Sequence, residues 1–502
     1  MLAGGAYGLG QTFPYSDLDI VLLLDSGKQA ETLKELLPEM VRLLWNAGLR
    51  VNSPVLTVAE CLEAVERVSV TAFSLLDRRL LAGDRVIYEK LEVRLPSALA
   101  LHCQKMSQRL CELARGRHAR YQNTPFHAEP DVKASPGGLQ DVRLVDWLAM
   151  LKGERGGRSD ELSQAAAFVS SSRCFLHYRA ACDQNILDFE TQDSQALKAF
   201  AGGKTASEWM RQYFQCARTI FNEARRAIAG AEKSQSSLLE SFLEQRSRLS
   251  NQEFTVSRER LLLRNPAQLA SDPTVVFRML EFIGRHGVMP ASETERRLEA
   301  SREAFAAYCV EPRPLWTALK SILGCPHAAM ALRSIEVTGL LRGLFPEWGA
   351  IEYLVTADSA YGYTVGEYVL RTLEHVIELG ATAVPERQRF AGLLGEIDDV
   401  TLLHFALLFH EIGRGDADAV GLAVKRARDA MARIQMPDDA QSTVEFLIRH
   451  QSDLSEAVSG RDMDDPATAR LLADRVGTIE RLKMLGVMTY ARIVGLGDDA
   501  KM

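Results

Sequence analysis

No Cys-x-x-Cys pair occurs in this sequence, no apolar run reaches the roughly 18 residues needed to span a bilayer, and basic residues are not in excess. Each absence removes a class of function. Without paired cysteines, the eight thiols (Cys61, Cys103, Cys111, Cys174, Cys182, Cys216, Cys309, Cys325) suggest neither zinc nor redox chemistry, and they read as buried thiols of a reducing compartment. Without a long apolar run, or a basic and apolar leader at the N-terminus, the expectation is a cytoplasmic protein with no membrane partner. A net charge of -7 supplies no positive field of the kind nucleic acids require, so no nucleic-acid partner is expected. Internal repeats and low-complexity tracts are absent too.

What is present is a globular composition, 47% hydrophobic and 25% charged, over a length that predicts two to four domains. Up to residue 95 strand and helix signals alternate; beyond it nearly everything follows the helical period of roughly 3.6 residues. The expected class is therefore α+β, with a small N-terminal mixed sheet and helices followed by helical domains. The apolar run Asp19 to Leu24 predicts a strand covered on both faces. A helix is expected from Gln29 to Ala47, bent or broken near Pro38, then a strand at Leu49–Val51 and a helix from Val58 to Leu81. A long helix is expected from Ser97 to Gln122, and the residues from Pro125 to Gly138 form a loop rich in proline and glycine.

The most informative segment is Gly4-Gly-Ala-Tyr-Gly-Leu-Gly-Gln-Thr-Phe-Pro-Tyr-Ser-Asp-Leu-Asp19. Its glycines let backbone approach a ligand closely, and exposed amides in such a turn can hold phosphate. Asp17 and Asp19, two apart at a strand entrance, are expected to present paired carboxylates toward the turn. Two such carboxylates are costly without a cation, and Mg²⁺ takes these oxygens together with substrate phosphates. Alone, a glycine turn is usually only a turn, and an Asp-x-Asp pair only a solvated strand end. Their combination points to phosphoryl chemistry.

This segment resembles the signature of the nucleotidyltransferase superfamily (polymerase-β-like), in the form found in bacterial protein-PII uridylyltransferase/uridylyl-removing enzymes. Leu75–Asp84 is similar to the end of that family's transferase domain. Glu129-Pro-Asp-Val-Lys-Ala-Ser-Pro-Gly-Gly-Leu-Gln-Asp141 resembles its internal motif, and Arg461–Pro466 with His450 the distal part of its hydrolase domain. The resemblance implies a transferase domain over 1–95, a helical associated domain over 96–330 and an HD-like helical domain over 331–502. It implies Asp17 and Asp19 as catalytic and Mg²⁺-binding residues. Gly5, Tyr7, Gly8, Gly10, Ser16, Lys133, Ser135, Gly137 and Gly138 would contact the nucleotide, although the 133–138 loop reads equally as a rigid cap on the helix beginning at Leu139. The substrate would be UTP or another nucleoside triphosphate, and the acceptor a tyrosine of a PII signal protein.

Departures from the family pattern are specific. Leu9 and Gln11 stand for arginine and glutamate, and Gln140 for another arginine. A third carboxylate is expected near Val68-Ser69, where neither residue binds a cation; Asp25 and Glu60 are the substitutes considered. Met1 lies three residues before the first glycine, so the strand preceding the turn is expected to be a stub with unpaired sheet hydrogen bonds. In the HD-like part, Tyr361, Gly366 and Tyr368 occupy ligand positions, Glu411 stands for the core aspartate and Arg492 for the last one, leaving His410 and His450. Neither guanidinium nor glycine offers a metal a lone pair, so the uridylyl-removing activity is expected to be lost. The family's glutamine-sensing ACT modules are not in this sequence, which implies no glutamine control by that route. Two alternatives stand beside a UMP transferase: a catalytically impaired regulatory or PII-binding homologue, and an adenylyltransferase acting on another protein.

Overall fold

The computed structural model describes residues 1–154, 157–233, 249–356, 362–462 and 464–496. The fold is α+β, as expected. The chain divides into two compact units, Met1–Pro125 with Glu129–Ser236, and Phe126–Ala128 with Ser237–Met502.

The first unit holds a mixed sheet in the order β3-β2-β1-β5, with β4 also paired to β2. Here β1 is Leu2–Ala3, β2 Leu18–Leu24, β3 Val51–Asn52, β4 Val55–Thr57 and β5 Arg79–Leu80. β2 is the central strand because Ile20, Val21, Leu22 and Leu24 are all buried, as a strand covered on both faces requires. It runs parallel to β3 and β4 and antiparallel to β1. The two-residue β1 is paired on both sides, Leu2 opposite Val21 and Leu80, Ala3 opposite Ile20 and Arg79. The unpaired bonds expected of a stub are therefore not found at these residues.

Several expected elements are cut shorter. The helix over 29–47 is two, Gly27–Thr32 and Leu36–Asn46; the break precedes Pro38, which sits in the first turn of the second helix, where its missing N–H costs nothing. The helix expected over 58–81 ends at Glu66, after a Thr57/Glu60 capping box opens it. Val68, at φ +53°, forces the break before the short helix Val70–Ser74.

Other elements run longer. The helix expected from Ser97 spans Arg85–Arg120 and carries Pro96 inside it. It passes through residue 95, and its Leu91, Leu95, Leu110 and Ala114 share one core with Val21, Val58, Val65 and Phe73 of the sheet region and with Leu144, Leu148, Ala224 and Ile228 of the helices Leu139–Leu151 and Ala206–Lys233. Burying each such leucine or isoleucine contributes about 1.5–3 kcal/mol.

The second unit is helical around a core of its own. Its exception is a hairpin, β6 (Phe254–Ser257) and β7 (Arg260–Leu263), with β8 (Met289–Pro290) parallel to β7. Arg258 and Glu259 both have positive φ, the backbone of a two-residue primed turn, but neither is the Asn or Gly that would announce one in sequence. The thiols also need correction: Cys182 is exposed, and Cys103, Cys174 and Cys216 are only partly buried. No helix among the described residues is long and apolar enough to cross a membrane.

Candidate active site

The glycine turn sits between β1 and β2 as the short helix Gly5–Gly8. The Gly4 amide donates to the Asp19 carbonyl at 2.8 Å, which ties the turn to the entrance of β2. Gly5 has φ +53°, and a Cβ there would meet Asp19 Oδ2 at 2.7 Å. Only glycine lets the backbone lie this close to the carboxylate. Gly8 is equally constrained, because a Cβ would fall 1.7 Å from the Asp77 carbonyl oxygen. Gly10 is left-handed at φ +69° with open space around it, so conformation rather than crowding selects it.

The turn is clamped by the segment after the short helices. Arg79 donates from Nε to the Gly8 carbonyl and from Nη2 to the Tyr7 carbonyl, both at 3.0 Å, with its guanidinium 5.6 Å from the Tyr7 ring centre. Ser16 is spent on its own loop: its hydroxyl donates to the Phe13 carbonyl and accepts from the Phe13 amide.

The two carboxylates meet different partners. Asp19, half-buried, accepts from Asn52 Nδ2 at 3.2 Å through Oδ1 and turns Oδ2 to Gly5. Asp17, just before β2 and 60% exposed, pairs with Arg50 Nε at 3.0 Å. The parallel register that sets Asp19 against Asn52 explains both contacts, since residues 50 and 52 alternate beside 17 and 19. The substitutes considered for a third carboxylate lie elsewhere: Asp25 pairs with Lys90 at 2.7 Å, and Glu60 closes the capping box. Among the described residues, no three His, Cys, Asp or Glu side chains are arranged to hold a metal ion.

Lys133 reaches this neighbourhood through Asp183, an acceptor that gathers cations. Its carboxylate lies 3.7 Å from Lys133 Nζ, 2.8 Å from Arg173 Nη2 and 3.9 Å from Arg50 Nη2. Burial opposes its ionisation, but Lys133 and Arg173 outweigh that and hold its carboxyl below the ordinary range. His177, fully buried, accepts from the Tyr15 amide through Nδ1 at 3.1 Å; Nε2 lies 3.0 Å from Asp183 Oδ1 but off the hydrogen-bond direction. Burial, then Arg173, pushes the His177 pKa down. Arg173 also covers the Phe13 ring at 4.3 Å. The loop that delivers Asp17 is thus held from both ends.

The remaining motif residues are buried inside their own loop. Ser135 is fully buried and donates to the Asp131 carbonyl at 2.6 Å. Gly137 leaves no room for a Cβ, 2.2 Å from the Ala217 carbonyl, and its amide donates to Asp141 Oδ2 at 2.8 Å. Gly138 caps the helix Leu139–Leu151. Asp141 is the centre of this cap: fully buried, it pairs with Arg117 and lies 2.7 Å from His118 Nε2. Burial raises its pKa, and His118 with Arg117 more than reverses that, leaving it lowered.

In the second unit, His410 is buried with Nδ1 2.7 Å from the Leu407 carbonyl, so Nδ1 carries the proton and Nε2 is left as a bare acceptor. Burial, helped by Arg492, pushes its pKa down to about 3. Arg492 Nη2 stands 3.7 Å from Glu411 Oε1, while Nη1 donates to the Gln451 carbonyl at 2.8 Å. Gln451 in turn donates to the His410 carbonyl at 3.1 Å. His450 turns to Asp453, 2.9 Å away. A Cβ at Gly366 would lie 2.9 Å from the Glu352 Cα, so no aspartate fits there without movement. Tyr368 donates to the Arg492 carbonyl at 3.1 Å. Tyr361, and Met463 of the Arg461–Pro466 stretch, lie outside the described residues.

Sequence reasoning missed Arg50, Asn52, Arg173, His177 and Asp183. Only the Arg-Val-Asn alternation at 50–52 carried a signal, and strand register was needed to read it.

Comparison with known proteins agrees with the resemblance. A family model described as GlnD PII-uridylyltransferase matches residues 104–155. The bifunctional uridylyltransferase/uridylyl-removing enzyme of Aromatoleum aromaticum is 27% identical over 528 residues, covering 99% of this chain and 59% of the relative. That of Burkholderia orbicola is 28% identical over 518 residues, covering 99% and 60%. The chain thus spans about 60% of the length of these relatives. Among solved structures, a tRNA-processing enzyme complex aligns with TM-score 0.33 and 16% identity over 49% of this chain and 58% of that one. A CCA-adding enzyme with ATP aligns with TM-score 0.31 and 15% identity over 46% and 47%. Along nearly its whole length, the chain is similar to the bifunctional uridylyltransferase/uridylyl-removing enzymes.

Proposed function

We propose that this protein is an Mg²⁺-dependent nucleotidyltransferase that moves UMP from UTP to a tyrosine of a PII-type protein in the cytoplasm. The observation that carries the reading is Gly5, a left-handed residue whose missing side chain leaves the backbone against the Asp19 carboxylate. Backbone amides that can hold phosphate, beside a carboxylate that can hold a metal ion, suit phosphate chemistry.

The donor set fits magnesium, which is commonly held by one or two carboxylates together with substrate phosphates and water. Asp17 and Asp19 would hold it, and the bound ion would neutralise charge on the transferring and leaving oxygens. The chain's own contribution is positioning. Arg79 fixes the turn, Asn52 orients Asp19, and His177 with Arg173 steadies the loop that carries Asp17. In this reading residues 1–95 are the transferase domain, 96–330 the helical associated domain, and 331–502 an HD-like domain without removing activity. Arg492 beside Glu411, and the lack of space at Gly366, support that loss.

Incubating the purified chain with labelled UTP and its cognate PII protein tests the proposal. Label on PII, abolished in Asp17→Asn, is expected; no labelling, with the variant indistinguishable, rejects it. A second reading is a regulatory PII-binding homologue without turnover. It draws support from the Asp17–Arg50 ion pair, which occupies one carboxylate, and nucleotide binding without transfer would favour it. Competition among UTP, ATP and CTP separates UMP transfer from adenylyl transfer to another acceptor.

A further inference from the structure

The cations around the glycine turn differ in how much of their hydrogen-bonding capacity is already used. Arg79 is committed to two carbonyls of the turn, Arg50 to Asp17 and the Tyr15 carbonyl, and Arg173 to Asn185 and Asp183. Arg143, on the helix Leu139–Leu151, is held without such commitments. Its side chain is 17% exposed, its Nη2 lies 3.3 Å from the buried Asp77 Oδ2, and its guanidinium is 5.3 Å from the Trp147 ring centre. That Asp77 oxygen already accepts from Trp147 Nε1 at 2.8 Å, and Arg143 makes no hydrogen bond among the described residues. A guanidinium carries five donors, so packing and charge hold this one while its donors stay unspent.

The direction in which it points is informative. Nη2 of Arg143 is 3.6 Å, and Oδ2 of Asp19 is 2.7 Å, from the same point, the position a Cβ of Gly5 would take. The two groups are therefore at most 6.3 Å apart across the space that glycine leaves open, and they do not form an ion pair with each other. A cation and a carboxylate this close, yet not paired with each other, suit a ligand carrying both metal and phosphate, the metal toward Asp19 and a phosphate oxygen toward the arginine.

We propose that Arg143 donates charge-assisted hydrogen bonds to the phosphates beyond the first in the nucleoside triphosphate bound at Gly5 and Asp19, and that Asp77 and Trp147 are the positioning residues that aim it. This inference rests on the nucleotidyltransferase reading above.

The test is calorimetric titration of Mg-UTP, Mg-ATP and UMP into the full chain and into the variants Arg143→Gln, Arg143→Lys and Asp19→Asn, with melting temperatures recorded for each. Wild type binds Mg-UTP or Mg-ATP, and Asp19→Asn weakens it. Arg143→Gln weakens the triphosphate by about tenfold to a hundredfold, the size of a lost charged hydrogen bond, while UMP affinity shifts by no more than about threefold. Arg143→Lys falls between, because it keeps the charge and loses the planar fork. A merely structural arginine would instead lower the melting temperature and weaken UTP and UMP alike, or leave both unchanged, and either result overturns the inference while the transferase reading stands. If Arg143→Gln does not fold, Arg143→Lys decides by the same comparison of UTP with UMP. Failure of wild type to bind either triphosphate, with Asp19→Asn identical, removes the transferase reading itself, and the inference falls with it.

Discussion

Single residues at this site are chosen by contact rather than by chemistry alone. Gly5 combines a left-handed backbone with a carboxylate 2.7 Å from where a side chain would begin. Gly5→Ala is therefore expected to reduce nucleotide transfer by at least about tenfold, because Asp19 must move. The stability cost should stay near 1–2 kcal/mol, roughly the penalty for a non-glycine residue in this region. Transfer assays beside urea melts check it, and unchanged transfer would remove Gly5 from the site. The exposed Asp17–Arg50 pair, by contrast, contributes about 0–1 kcal/mol to stability, so its place is better understood as local charge balance than as a fastening. At this scale the sequence was legible where residue type is dictated by backbone, as in the glycines. It was illegible for Asp77 and Arg143, whose roles arise from a helix that begins 62 residues after Asp77.

At the scale of elements, the internal motif acts as a cap whose parts satisfy one another. Asp141 receives the Gly137 amide, Arg117 and His118 in a space closed to solvent. Asp141→Asn is expected to cost about 3 kcal/mol or more, since it leaves the Arg117 charge buried against a neutral amide. A shift of the urea midpoint at pH 7 measures this. The folded pKa of Asp141 is lowered, so its contribution is present above the unfolded carboxylate pKa and disappears as pH falls through the folded value. The variant should accordingly lose the acid sensitivity that wild type owes to this group. The helical period announced the elements on both sides of the cap. It did not announce that the helix would run from Arg85 through Pro96, nor the Phe254–Leu263 hairpin, whose Arg-Glu turn has no turn-forming residue.

Across the whole molecule, each compact unit has its own core, and the second buries two histidines deeply. Burial lowers His404 to about 4 and His410 to about 3. Both are neutral in the folded state, whereas the unfolded chain takes up protons below about pH 6.5. Stability from these groups is therefore full above about pH 6.5 and declines as pH drops toward 4 and then 3, by at least about 1 kcal/mol for each. Urea unfolding monitored between pH 7 and pH 4 should show this slope, and His404→Gln should flatten it; an unaltered slope would mean that the ring is solvated. The helix Arg85–Arg120 and the shared core around Leu91 and Leu95 also join segments that composition separates at residue 95.

By itself the sequence determined the α+β class, the glycine turn, the acidic pair at the mouth of β2 and the presence of Tyr361, Gly366, Tyr368 and Arg492 at positions where the resemblance expects metal ligands. These are local properties: backbone freedom, side-chain type and periodicity act over a few residues. Only the tertiary structure decided that Asp19 lies against Gly5, that Arg50 takes Asp17, that Asp183 gathers Lys133 and Arg173, and that Arg143 faces the turn. Those arrangements depend on strand register and on which helix faces share a core, and both are set by burying apolar surface between segments far apart in the chain.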